Sequence, residues 1–106
     1  MLNRHDRMKE LLQHLAAEFL NRQSNRTTLI TVTDINLTKD ARSATILISV
    51  FPKDKTKGAL DFVRRKRRDL GEYIKTHSRL KRLPRFDFDI DHSEQNRQHL
   101  DKLLNI

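Results

Sequence analysis

The sequence contains no cysteine and no tryptophan, and only two glycines and two prolines in 106 residues. Without cysteine there can be no disulfide, zinc knuckle, iron–sulfur ligand set or thiol nucleophile. So little glycine and proline excludes flexible-linker and collagen-like composition. Gly58 and Gly71 stand alone, so no glycine-rich loop is present to cradle a phosphate. Long apolar runs are missing too, the longest being short stretches such as Ile46-Leu47-Ile48. Neither a membrane span nor a secretory signal is expected, which makes the cytoplasm the expected compartment. The length suits one domain over 1–106, expected to be a monomer, and a chain of this size can bury about two-thirds of its unfolded surface without a metal or disulfide staple.

Charge is abundant and unevenly placed. Lysine and arginine number 22 against 14 aspartates and glutamates, for a net charge of +8. Between Val63 and Arg85 stand ten basic residues and two acidic ones, Asp69 and Glu72, and the rest of the chain holds twelve of each sign. The whole excess therefore belongs to one short segment. A solubility face usually mixes its signs, whereas a localised surplus of this kind is the electrostatic footprint of a polyanion-binding surface.

The order of elements follows from hydrophobic period. Met8, Leu11, Leu12, Leu15, Ala16, Phe19 and Leu20 form one stripe at helical spacing over Asn3 to Asn21, with Asn3 as the expected N-cap. From Thr28 the composition turns to Thr, Val and Ile, as strands require. Ile30 and Val32 then slip phase to Ile35 and Leu37, which predicts a bulge near Thr33 or Asp34. Ala44, Ile46, Ile48 and Val50 alternate on a second strand, joined to the first as an antiparallel hairpin. Pro52 to Gly58 is expected to be an exposed charged loop. Ala59 to Leu83 is helical by period, but a single helix would aim Arg67 into its own apolar stripe, a costly burial. Two helices meeting between about Lys66 and Gly71 remove that conflict, the second carrying Leu70, Tyr73, Ile74, His77 and Leu80 and ending at Leu83-Pro84; the alternative is one continuous helix in which Arg67 snorkels its head out to solvent. Phe86, Phe88 and Ile90 alternate with Asp87, Asp89 and Asp91 as a half-buried strand. A last helix, capped by Ser93 or by Asp91 with Glu94, would bury Leu100, Leu103 and Leu104. The expected order is α-β-β-α-α-β-α.

Catalytic and metal-binding patterns do not assemble. Asp87, Asp89 and Asp91 open like a calcium loop, but His92 replaces the required glycine and Gln98 the closing glutamate. The triplet reads instead as the solvent face of a strand. The five histidines lack metal-ligand spacing, and His77 reads as a partly covered packing residue. A nuclease with histidine and lysine as acid and base is chemically conceivable, yet no spacing supports it, so the chain reads as a non-enzyme with no cofactor, metal or small-molecule substrate. The few aromatics, Phe19, Phe51, Phe62, Tyr73, Phe86 and Phe88, fall mostly at core positions and offer little for base stacking.

Three stretches resemble the ribosome-binding factor A family. They are Arg4…Arg7-Met8…Leu11-Leu12, then Ile30-Thr31-Val32-Thr33-Asp34-Ile35…Leu37…Asp40…Ala44-Thr45-Ile46-Leu47-Ile48-Ser49, and Leu80…Leu83-Pro84-Arg85-Phe86-Asp87-Phe88…Asp91-His92-Ser93. The resemblance implies an α+β fold of the type II KH-like kind: a three-stranded mixed sheet covered on one face by helices, ordered 2-1-3 with the third strand parallel to the first. It also implies a ribosome assembly factor that contacts small-subunit ribosomal RNA, assists late maturation of the small ribosomal subunit and serves cold adaptation. A stable ribosomal or hibernation-type RNA-binding protein is the alternative. The family carries an Ala-x-Gly kink between its middle helices; here the equivalent positions read Lys66-Arg67-Arg68, or the kink glycine is Gly71 with Asp69 in place of alanine. With the RNA partner so implied, the expected phosphate contacts are Arg64, Arg65, Lys66, Arg68, Lys75, Arg79, Lys81, Arg82 and Arg85.

Overall fold

The structure is a computed structural model that describes residues 3–23 and 27–93. Helix α1 spans Arg4–Gln23, strands β1 and β2 span Leu29–Leu37 and Ser43–Phe51, helices α2 and α3 span Thr56–Arg65 and Arg67–His77, and strand β3 spans Arg85–Ile90. The closing helix expected over Leu100, Leu103 and Leu104 lies outside the described residues. Asn3 caps α1 as expected, its Oδ1 accepting the Asp6 N–H at 2.8 Å.

β1 and β2 form the predicted hairpin, and the register shifts between Val32 and Asp34, leaving Thr33 as the extra residue. That single insertion lets Ile30 and Ile35 both reach the core despite their phase difference. The turn is closed by Thr38, whose hydroxyl donates to Asp40 Oδ1 at 2.7 Å, while the same oxygen accepts the Arg42 N–H at 3.1 Å. Ala41 occupies the left-handed region at φ 58.

The sheet order corrects one expectation. The strands lie β1-β2-β3, with β3 parallel to β2 and not to β1. The strand with the most buried alternation, Ala44, Ile46 and Ile48, thus has a neighbour on each side. Lys9 of α1 pairs with Asp34 of β1 at 3.3 Å. Residues 52–84 supply the long crossover that a parallel pair needs.

The loop and helix boundaries shift from those expected. A 3-10 turn at Lys53–Lys55 leads straight into α2 at Thr56, so the charged loop is shorter than the sequence suggests. At the other end α3 stops at His77 rather than Leu83, because Ser78 is extended and its hydroxyl donates to the Ile74 carbonyl at 2.7 Å. Leu80 therefore packs on the core from a loop.

The two middle helices do break, at Lys66. Its φ and ψ of −96° and 8° close α2 through a short Lys66 N–H to Val63 carbonyl bond of 2.9 Å, and its own carbonyl starts α3 by accepting the Leu70 N–H. Gly71 lies inside α3, so the bend falls at Lys66-Arg67-Arg68. Arg67 is turned out of the apolar stripe, donating to the Arg64 carbonyl at 3.0 Å and pairing with Asp87 at 3.4 Å.

All three helices cover one face of the sheet. One core joins Leu12, Leu15, Ala16, Phe19 and Leu20 of α1 to Val63, Leu70 and Ile74 of the middle helices and to the inward residues of the strands. Phe88 and Ile46 are fully buried at its centre. On the opposite face Leu29 and Phe51, cross-strand partners, stand exposed.

Candidate nucleic-acid interface

The basic segment of the sequence divides in space. Its first half surrounds the α2–α3 bend and its second half runs from the last turn of α3 through the following loop to the start of β3.

At the bend most cations are already engaged. Arg64 donates from Nε and Nη2 to the Phe88 carbonyl at 3.2 and 3.0 Å and approaches Asp87 at 3.4 Å. Lys66 sits over the Phe62 ring at 5.6 Å and reaches Asp69 at 3.8 Å. Arg65 and Arg68 are exposed, and no partner holds either among the described residues. The triplet of aspartates explains part of this arrangement. Arg85 and Asp91 donate their N–H groups toward β2, so the N–H groups of Phe88 and Ile90 face the free edge. Each is taken by the preceding carboxylate, Asp87 at 2.7 Å and Asp89 at 2.8 Å, while Arg64 occupies the Phe88 carbonyl. Asp34 takes the Ile35 N–H of β1 in the same way. These carboxylates seal the sheet edges, which the reading of them as a solvent face did not contain.

Asp91 binds the Thr33 hydroxyl and the Ser93 N–H, which together hold its carboxyl below the usual carboxylate range, Thr33 first. Asp40 is lowered as well, chiefly by the Thr38 hydroxyl and then by the Arg42 N–H. Tyr73 is raised, by burial first and then by its hydrogen bond to Glu18 at 3.0 Å, against the opposing charge of Arg22. His77 is exposed, more open than its place on the apolar stripe suggested, and stacks on Tyr73 with ring centroids 4.0 Å apart.

The second cationic region is a groove of about 720 Å³ between the start of α1, the β1–β2 turn and the loop before β3. Arg4, Arg42, Lys81 and Arg82 line it, over a floor of Met8, Leu80 and Leu83, with Asp40 as the single acid among the described residues. Arg85 adjoins it, its N–H donating to the Arg42 carbonyl at 2.8 Å. Arg4 and Arg42 were missed by the sequence reading, because both lie in stretches of balanced charge. Only the pairing of the β2 start with the β3 start brings Arg42 beside the basic segment. Lys75 and Arg79 are exposed at the end of α3 and just beyond it. Among the described residues no group of three or more histidines, aspartates and glutamates is placed to hold a metal ion, and no helix is long and apolar enough to cross a membrane.

A helix, a hairpin, two helices joined at a bend and a third strand, with the three described helices on one face, define an α+β protein of the type II KH-like class. Comparison with known proteins narrows the class. The profile of the ribosome-binding factor A family matches residues 4–104. The chain is 31% identical over 104 residues to ribosome-binding factor A of Thermobifida fusca, covering 95% of this chain and 69% of that protein. It is 29% identical over 84 residues to the Clostridium botulinum protein of the same name, covering 72% and 64% of the two. The crystal structure of ribosome-binding factor A from Thermus thermophilus superposes with a TM-score of 0.72 at 25% identity, over 83% of this chain and 97% of that one. The solution structure of a Thermotoga maritima relative shares the fold at TM-score 0.66 and 21% identity, over 79% and 83%. The chain belongs to the ribosome-binding factor A family.

Proposed function

We propose that the protein binds small-subunit ribosomal RNA and assists late maturation of the small ribosomal subunit, as a monomeric, non-enzymatic assembly factor whose work matters most in the cold. Family membership supports this reading, as does the fitting of a Thermus thermophilus relative, at 25% identity and TM-score 0.71, into a cryo-electron microscopy map of its complex with the 30S subunit. The observation that carries it for this chain is the concentration of charge: all of the +8 resides in a single 23-residue segment, most of whose cations are exposed. Arginine forks suit phosphate, and structured RNA is read largely by shape and phosphate geometry. The contacts are assigned to Arg65, Arg68, Lys75, Arg79, Lys81, Arg82 and Arg85, with Arg64 and Lys66 contributing through what their internal bonds leave free.

Sedimentation of ribosomes from cells carrying the tagged protein tests the reading. An assembly factor follows free and immature small subunits and leaves mature ribosomes. Stable presence on mature or paired ribosomes would identify a ribosomal or hibernation-type protein instead.

A further inference from the structure

The groove between the start of α1, the hairpin turn and the loop before β3 differs in chemistry from the bend. Its rim carries four cations from three separate parts of the chain, Arg4, Arg42, Lys81 and Arg82, and its floor is apolar. Arg4, Lys81 and Arg82 have no partner among the described residues, and Arg42 meets only Asp40, at 3.9 Å with its side chain 86% exposed. At the bend, by contrast, Arg64, Lys66 and Arg67 are bound to the protein itself. A cation already paired must give up that bond to take a phosphate, whereas Arg4, Lys81 and Arg82 need not; at the bend only Arg65 and Arg68 are as open, and they have no apolar groove beside them among the described residues.

The apolar floor selects the form of the ligand. A duplex keeps its bases stacked inside and presents phosphate rails and 2′-hydroxyls, which gain nothing from Met8, Leu80 and Leu83. An unpaired strand turns bases and ribose faces outward, and these can cover an apolar floor while the phosphates meet the rim. Asp40, the one acid, is tied to the Thr38 hydroxyl and the Arg42 N–H, so it is held within the turn.

We infer that this groove is the seat of an unpaired RNA strand, with Arg4, Arg42, Lys81 and Arg82 on its phosphates, and that the α2–α3 bend is a secondary contact. The inference rests on the reading of the protein as a ribosomal RNA binder and specifies where and in what form the RNA is held.

The test uses the full chain and two labelled probes, an unpaired oligouridylate and an RNA duplex of equal length, titrated over a salt series. The unaltered protein binds the unpaired probe more tightly. Arg4→Ala/Arg42→Ala weakens that binding about tenfold or more and flattens the slope of log K against log salt by about 1.4, two phosphates at about 0.7 each on a single strand. Arg65→Ala/Arg68→Ala, removing equal charge at the bend, costs less than about threefold, and Arg4→Lys/Arg42→Lys restores most of the loss. Circular dichroism and the thermal midpoint of each variant confirm the fold. Equal losses from the two alanine pairs, tighter binding of the duplex, no binding of oligouridylate by the unaltered protein, or equal binding of polyglutamate would overturn the inference. Small-subunit association in gradients separates the two readings: a groove variant that binds the subunit as well as the unaltered protein sinks the groove alone, whereas an unaltered protein that never meets the subunit sinks the proposed function.

Discussion

Phe88 is fully buried at the centre of β3, directly opposite Ile46. Removing its ring leaves a void lined by α2 and the sheet, and Phe88→Ala is expected to cost about 3–5 kcal/mol in a denaturant titration. A loss below about 1 kcal/mol would mean that β3 is not where the core closes. Two carboxylates define a pH dependence. Asp91 and Asp40 have folded pKa values below their ordinary value of 3.8, so each favours the folded state as long as it is ionised. That contribution is complete above the unfolded pKa and is lost as pH falls from about 4 through the lower folded values. Thr33→Val removes the hydroxyl that donates to Asp91, so the thermal midpoint of that variant should fall least, relative to the unaltered protein, at the most acid pH of a series. Ala41 holds a positive φ that alanine tolerates poorly. Ala41→Gly is expected to stabilise the protein by a few tenths to about 1 kcal/mol, read as a raised thermal midpoint.

Among the elements, β3 has the most unusual chemistry. Its exposed edge is capped by its own aspartates, a device that denies neighbouring chains a row of free donors. Asp89 caps only Ile90 and touches no arginine in any bond described, so Asp89→Ala isolates the effect. It should leave the thermal midpoint within about four degrees while raising self-association at high protein concentration in sedimentation velocity, since surface changes away from the core seldom exceed about 0.5 kcal/mol. The period of two made β3 legible from sequence, and the phase slip made the bulge legible, because both are properties of consecutive residues. The break at Lys66 was legible for the same reason, through the misplaced Arg67. The end of α3 was not: Pro84 drew the boundary, yet the earlier stop depends on one serine hydroxyl reaching the Ile74 carbonyl, a competition that periodicity does not register.

For the molecule as a whole, the sheet order and the groove were the parts hidden from sequence. Which strand of a hairpin receives a third is settled by pairing between remote positions, here Ser43 to Ile48 with Arg85 to Ile90, and no pattern of consecutive residues records it. Counting charge along the chain found the basic segment but could not see that its two halves part company, nor that Arg4 and Arg42 join one of them. Arg64→Ala/Arg68→Ala removes the two bonds from Arg64 to the Phe88 carbonyl, so it should lower the thermal midpoint where Arg65→Ala/Arg68→Ala does not.

The bend at Lys66 carries a consequence for the chain before it folds. Its φ is negative and lies where any residue can go, so the Ala-x-Gly pattern of the family is not required for the change of direction; side chains from Arg64 and Arg67 brace it against β3 instead. A glycine roams more of backbone space than an arginine when the chain is unfolded, and that freedom is forfeited when the helix forms. By keeping Arg68 at that position, this sequence begins with fewer disordered states to surrender. Restoring the family's residue with Arg68→Gly should therefore lower stability by about 1 kcal/mol, chiefly as a less favourable entropy, even though the Arg68 side chain makes no bond among the described residues.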